Sequence, residues 1–302
     1  MHGAACLQKV PRHGAITSLH QRLGAAIMHP DRRAVMPLMP EPIVQPEGTD
    51  TNAGERQAAK RVVATWRQAH PHLQCLVTAD RLSAHAPPME TLHAHGLPSM
   101  LGVKAGAQAS LLQPGQAAED AGRGTSYERH DRAAGGSQRF RFVHDRPLQA
   151  SPPHVRGHCS EYGEIGPHKV QPCSGVTDLR GSKRNVYHLM RGGRAWWKSE
   201  NETCQTLQNQ GDHFEHHDGH GEQHLAVVLA RRMMLAFLVA QAQQLCGALL
   251  QAVWAKLGSK RLRWERRRAL FYTYALASMR QLFEALFYGL KKPTPVFGFD
   301  SA

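Results

Sequence analysis

Apolar residues recur with two different periods in the first hundred residues, and the alternation predicts strands joined by helices. LGAAIMHP (residues 23–30), LQCLVTAD (73–80) and MLGVK (100–104) are short apolar runs, each of which predicts a buried strand. Between the first two runs, residues 59–66 carry apolar side chains at helical spacing, which predicts an amphipathic helix. Strands that alternate with helices favour parallel pairing, so the sequence predicts an α/β fold.

The character of the chain changes near residues 105 and 173. Glycine and proline are frequent after residue 104, and RFRFVHD (139–145) is the clearest strand there, which predicts a β-rich insertion. SGVTDL (174–179) predicts a return to the core sheet, followed by a helical stretch over 182–210 that Gly192 and Gly193 are expected to interrupt. The predicted regions are 1–104 (first part of the core), 105–172 (insertion), 173–224 (return to the core) and 225–302 (helical C-terminal region).

Composition narrows the classes of partner. The chain has 37 Lys and Arg against 24 Asp and Glu, a formal net charge of +13 that favours a polyanion such as nucleic acid. The six cysteines lie far apart without a CxxC pair, which argues against a zinc ribbon or a disulfide framework and suits the cytoplasm. The apolar stretch 225–240 contains Arg231 and Arg232, so we expect a helix outside the membrane.

Two basic runs interleaved with aromatic residues predict contacts with DNA. Cationic side chains attract the phosphate backbone, and neighbouring aromatic rings suit base stacking. For either run alone, a solvated helix face is the alternative. The predicted DNA-binding residues are Lys183, Arg184, Arg191, Arg194 and Lys198 in the first run, and Lys260, Arg261, Arg263, Arg266 and Arg267 in the second.

Two carboxylates are candidates for chemistry. Asp80 ends a predicted strand, where open α/β sheets place ligands, although an Asp there also caps helices. Glu200 shares a helix face with Trp196 and Leu207, so its charge would require a cation or a metal. An ion pair of Glu200 with a neighbouring Arg or Lys is the alternative.

A histidine-rich segment offers a third candidate. GDHFEHHDGHGEQH (211–224) holds five histidines, four of which would share one face of a helix. Gly219 and Gly221 favour a loop instead, and the spacing matches no familiar zinc site. Zinc binding therefore stays an alternative.

Six long stretches of the chain carry a family resemblance: GAAIMHPDRRAVMPLMPEPI, VTADRLSAHAPPMETLHAHG, YERHDRAAG, VTDLRGSKRNVYHLMRGGRAWWKSENET, FEHHDGHGEQH and the C-terminal AVWAKLGSKRLRWERRRALFYTYALASMRQLFEALFYGLKKPTPVFG. In sequence and order they resemble bacterial transposases of the insertion-sequence-four-like DDE group. The resemblance implies a ribonuclease-H-like mixed sheet flanked by helices, with two Mg²⁺ or Mn²⁺ ions held by two Asp and a late Glu. Asp80 matches the second Asp and Glu200 the Glu, which makes both the expected catalytic and metal-binding residues. The resemblance also implies double-stranded transposon ends as the partner, with a homodimer as one option.

The chain departs from that group at the site itself. The first Asp would lie on a strand before Met1, and Gly193, Trp196 and Leu207 occupy the places of a Tyr, an Arg and a Lys. We therefore expect a protein that binds DNA but is impaired in cutting and joining it. An active enzyme that recruits Asp178 or Asp31, and a decayed chain that does not fold stably, are the alternatives.

Overall fold

A computed structural model describes residues 7–9, 17–19, 21–43, 51–79, 86–103, 124–131, 136–147, 156–165, 170–209, 214 and 225–289. The chain is a mixed α/β protein, as predicted. The strands are β1 (Leu7–Lys9), β2 (Thr17–Leu19), β3 (Arg22–Leu23), β4 (Ala26–Met28), β5 (Val35–Pro37), β6 (Glu41–Pro42), β7 (Val77–Ala79), β8 (Ser99–Val103), β9 (Thr125–Asp131), β10 (Gly136–Pro147), β11 (Arg156–Ile165) and β12 (Val170–Thr177). The helices are α1 (Thr51–Ala69), α2 (Ala86–Ala94), α3 (Val186–Arg194), α4 (Trp196–Ser199), a π-helical segment (Glu200–Cys204), α5 (Gln205–Asn209), α6 (Leu225–Cys246), α7 (Ala248–Leu257), α8 (Lys260–Thr273) and α9 (Met279–Tyr288).

Six strands form one mixed sheet in the order β7-β8-β12-β11-β10-β9. β7 and β8 are parallel, as the strand–helix–strand pattern predicts, and all other neighbours are antiparallel. The predicted strand 139–145 lies within β10, and SGVTDL supplies the end of β12, which pairs with β8. The strands of the stretch predicted as an insertion therefore extend the same sheet as β7 and β8.

Two of the predicted strands are less buried than expected. β8 is almost wholly buried, but the part of LGAAIMHP that forms β4 leaves Ile27 41% exposed. β7 is half-buried because it lies at an edge of the described sheet. An apolar run marks a strand but does not show how many neighbours will cover it.

The contacts divide the chain into two compact units, residues 1–33 with 40–198, and residues 34–39 with 199–302. In the first unit, Met100, Phe140, Phe142, Val186 and Met190 form a buried cluster between the sheet and α3. In the second unit, α7 and α9 pack through a cluster of buried leucine, valine and phenylalanine side chains.

α6 is the long apolar helix that the sequence predicts. Among the described residues it is the one helix long and apolar enough to cross a membrane by length and composition, a test that core helices of soluble proteins also pass. Arg231 and Arg232 are both exposed on α6. They therefore do not conflict with a folded second unit.

Candidate nucleic-acid interface and metal site

α3 lies close against the sheet because its sequence is strongly amphipathic and contains two glycines. Val186, Leu189 and Met190 supply the buried face. A Cβ on Gly193 would lie 2.6 Å from Met100 Cγ, and one on Gly192 would lie 2.9 Å from Leu76 Cδ2. The glycines therefore allow close packing, and the predicted interruption follows directly after them, since α3 ends at Arg194 and Ala195 forms a turn before α4.

The outer face of α3 is cationic and aromatic. Tyr187, Arg191 and Arg194, which we call the basic face, are spaced by four and three residues and point the same way. Together with Trp197, which is 47% exposed, they line a depression of about 280 Å³. Three of the predicted DNA-binding residues, Arg191, Arg194 and Lys198, thus line one concave surface. The predicted Lys183 and Arg184 are exposed beside the start of α3.

The ring of Tyr187 is contacted by two guanidinium groups. Arg129 Cζ of β9 lies 3.7 Å from the ring centroid, and Arg191 Cζ lies 5.3 Å from it. Phe140 packs edge-on against the same ring at 6.1 Å. Sequence reasoning missed Arg129, since its stacking partner is 58 positions away along the chain, although YERHDRAAG was among the resembling stretches.

Lys198 lines the same depression, and its ammonium group is bonded to the backbone of a neighbouring turn. Its Nζ donates hydrogen bonds to the carbonyl oxygens of His29 (2.9 Å), Pro30 (2.6 Å) and Arg32 (2.9 Å). A lysine ammonium has three N–H donors, so these bonds occupy all of them. We therefore assign Lys198 the role of holding the 29–32 turn in place.

The 29–32 turn presents Asp31 to the basic face. The Asp31 carboxylate accepts a hydrogen bond from Arg191, and this bond lowers the pKa of Asp31, with the positive charge of Arg191 acting in the same direction. The Asp31 amide donates to His29 Nδ1 at 3.1 Å. One of the two carboxylates considered as a substitute metal ligand is thus engaged with an arginine.

Asp178, the other substitute, lies at the wrong end of the parallel pair. Its carboxylate accepts a hydrogen bond of 2.7 Å from the Ser99 amide, where β8 begins. Val77 is the β7 partner of Ser99, whereas Ala79, the residue before Asp80, pairs with Leu101. Two residues along a strand span about 6.6 Å, so Asp178 is poorly placed for a metal at the carboxyl end of β7.

The second basic run, on α8, divides into buried and exposed members. Arg263 is only 9% exposed, its Cζ lies 4.0 Å from the Trp254 ring centroid, and burial lowers its pKa. Arg261 donates to Glu265 at 2.8 Å, and Arg267 lies 4.8 Å from the Trp264 ring centroid. Arg263 therefore stabilises packing in the second unit, and of the predicted residues of this run Arg261 and Arg266 are exposed. The side chain of Lys260 lies outside the described residues.

Glu200 begins the π-helical segment and is exposed. The expectation that it sits within a buried apolar stripe is therefore wrong, and its charge requires no neutralising partner. Thr203, Thr206 and Leu207 form the buried side instead. Glu200 does act on Cys204, since desolvation raises the pKa of that thiol and the Glu200 charge raises it further.

The residues described do not make a two-metal site. Asp80 lies outside the described residues, so its expected convergence with Glu200 stays a prediction. Within the described part of the chain, no group of three or more His, Cys, Asp or Glu side chains is arranged to hold a metal ion. One exposed carboxylate does not satisfy the oxygen-ligand demand of Mg²⁺, and we derive no reaction step through a metal. The five histidines of the 211–224 segment also lie outside the described residues.

No protein-family model and no curated protein matches the chain.

Proposed function

We propose that this chain is a transposase-derived protein with a ribonuclease-H-like core that binds double-stranded DNA in the cytoplasm and has an incomplete metal site. The observation that carries the proposal is the convergence of the basic face and Trp197 at one depression, with Arg129 stacked on the Tyr187 ring. The sequence resemblance supplies the DDE family, and the mixed sheet with its parallel β7–β8 pair is compatible with that core.

The chemistry of the depression suits a nucleic acid. Arg191 and Arg194 present guanidinium groups, which bind phosphate through paired N–H donors. The exposed Trp197 offers a ring surface for stacking with bases or sugars, whereas the Tyr187 ring is already packed against Arg129. Gln138 also lines the depression, and its Oε1 is buried without a hydrogen-bond partner among the described residues.

The partners of Asp31 and Asp178 support a protein that binds DNA without cleaving it efficiently over an active enzyme that uses either residue as a metal ligand. Asp31 is paired with Arg191, and Asp178 is bound to Ser99. Neither joins Glu200 in a group of metal ligands within the described residues. Phosphate attraction by the basic face requires no metal.

The test is the salt dependence of duplex binding by the unmodified chain and Arg194→Gln. Each phosphate contact contributes about −0.9 to the slope of log K against log salt, so Arg194→Gln should make the slope shallower by about 0.9. Arg232→Gln is the matched control because it removes one exposed positive charge from α6. Equal effects of the two substitutions, or no binding at low ionic strength, would contradict the proposal.

A further inference from the structure

The Asp31–Arg191 ion pair places a carboxylate on a surface that is otherwise suited to phosphate. Both side chains remain partly exposed, Asp31 by 54% and Arg191 by 36%. A carboxylate and a phosphate offer a guanidinium group the same paired-oxygen geometry. Asp31 Oδ1, bonded to Arg191 Nη2, therefore occupies a position that a phosphate oxygen would take.

The position of Asp31 is determined by its surroundings. Three hydrogen bonds from Lys198 Nζ hold the carbonyl groups on both sides of Asp31. The Asp31 amide is bonded to His29 Nδ1, so the backbone on its amino-terminal side is also constrained. On the opposite side of the pair, the Tyr187 ring lies beside the Arg191 guanidinium. The carboxylate is thus presented to Arg191 by a fixed turn, which distinguishes it from a mobile surface side chain.

We propose that Asp31 is a built-in competitor for phosphate at Arg191, so that duplex DNA has to displace it to gain this contact. The inference rests on the proposed function, because it concerns the same surface. Exposed ion pairs are weak, so displacement by a polyanion is feasible and the competitor moderates affinity without abolishing it. While Asp31 is in place, the net positive charge of the chain still attracts the phosphate backbone.

The test compares duplex binding by the unmodified chain and Asp31→Asn at low ionic strength. Removing the competitor should tighten binding about two- to fivefold, the range spanned by exposed ion pairs. It should also make the salt slope steeper by up to about 0.9, because Arg191 gains one phosphate. The Asp31→Asn/Arg191→Gln double variant should bind no more tightly than Arg191→Gln alone, because the phosphate contact that Asp31→Asn makes available requires Arg191.

Glu284→Gln is the matched control, since Glu284 is also an exposed carboxylate bonded to an arginine, Arg280, but lies on α9. It makes the same change in net charge and should leave affinity unchanged. An equal gain from Glu284→Gln would assign the effect to net charge and overturn the inference. Unchanged binding by Asp31→Asn, with Arg194→Gln still weakening binding, would overturn the inference alone. No binding by any variant would overturn the proposed function and the inference with it.

Discussion

Gly193→Ala should destabilise the protein, because α3 approaches the sheet too closely at this point to accept a methyl group. The new Cβ would lie 2.6 Å from Met100 Cγ, well inside van der Waals contact. Met100 is 2% exposed and belongs to the buried cluster with Phe140 and Met190, so its Cγ cannot move without disturbing these neighbours. On its other side, a Cβ on Gly175 would lie 2.7 Å from Met100 Cε, which shows how crowded that side chain is.

Two opposing effects set the magnitude. Overpacking a well-filled core costs about 1–3 kcal/mol. Replacing glycine by alanine within a helix contributes about 1 kcal/mol in the other direction. We therefore expect the free energy of unfolding to fall by up to about 2 kcal/mol in Gly193→Ala.

Gly192→Ala is the matched control in the same turn. Its Cβ would lie 2.9 Å from Leu76 Cδ2, the far end of a half-buried side chain that can rotate away. The helix-propensity gain should then balance or exceed the packing cost, leaving stability unchanged or raised by up to about 1 kcal/mol.

The measurement is urea unfolding followed by far-ultraviolet circular dichroism, with the denaturant dependence compared among variants. Met100→Ala should remove the clash, so Gly193→Ala should add no further loss of stability in a Met100→Ala background. Equal stabilisation by Gly192→Ala and Gly193→Ala would refute the packing of α3 described above. A gradual unfolding curve for the unmodified chain would favour the decayed, unstable chain among the alternatives.

Two further predictions concern the carboxylates. With Mg²⁺ or Mn²⁺, the unmodified chain should not cleave a labelled duplex faster than an Asp80→Ala/Glu200→Ala variant, because two-metal catalysis requires both ions to be fixed; faster cutting by the unmodified chain would show a working site. Glu200→Gln should lower the pKa of Cys204. Because only the thiolate reacts, alkylation of Cys204 at pH 8 should then be faster. The rate is measured on the Cys204 peptide by mass spectrometry. Glu202→Gln changes the same charge on the same segment and should leave that rate unaltered, and equal acceleration by both substitutions would contradict the Glu200–Cys204 interaction.

Local patterns in the sequence predicted individual strands better than they predicted which strands pair with one another. RFRFVHD was identifiable as a strand because buried and outward positions alternate along it, and both it and the start of SGVTDL lie in the observed sheet. That their strands belong to the same sheet as β7 depends on pairing between distant segments, such as Thr177 with Met100. No local pattern encodes such pairing.

The site shows the same limit. Arg191 and Arg194 were predicted from charge and helical spacing, but Asp31 is 160 positions from Arg191 and its pairing depends on how the 29–32 turn folds. The prediction that Glu200 shares a buried face with Leu207 was wrong because it assumed 3.6 residues per turn, whereas Leu207 is buried and Glu200 is exposed. From Glu200 the chain follows a π-helix, whose i→i+5 bonding rotates the residues that follow relative to an α-helix.

As substitutions accumulate in a protein of this kind, DNA binding and strand cleavage would be lost at different rates. Electrostatic binding is a sum over many cations, so loss of one arginine removes one increment and leaves the rest. Two-metal catalysis depends on every ligand at once, since loss of one carboxylate releases an ion that both the nucleophile and the leaving oxygen require. In the described chain the basic face lies on α3 of the first unit, whereas Glu200 belongs to the second unit. Substitutions that disable a metal site at Glu200 therefore need not alter the residues that attract phosphate, which is why we expect binding to outlast cleavage.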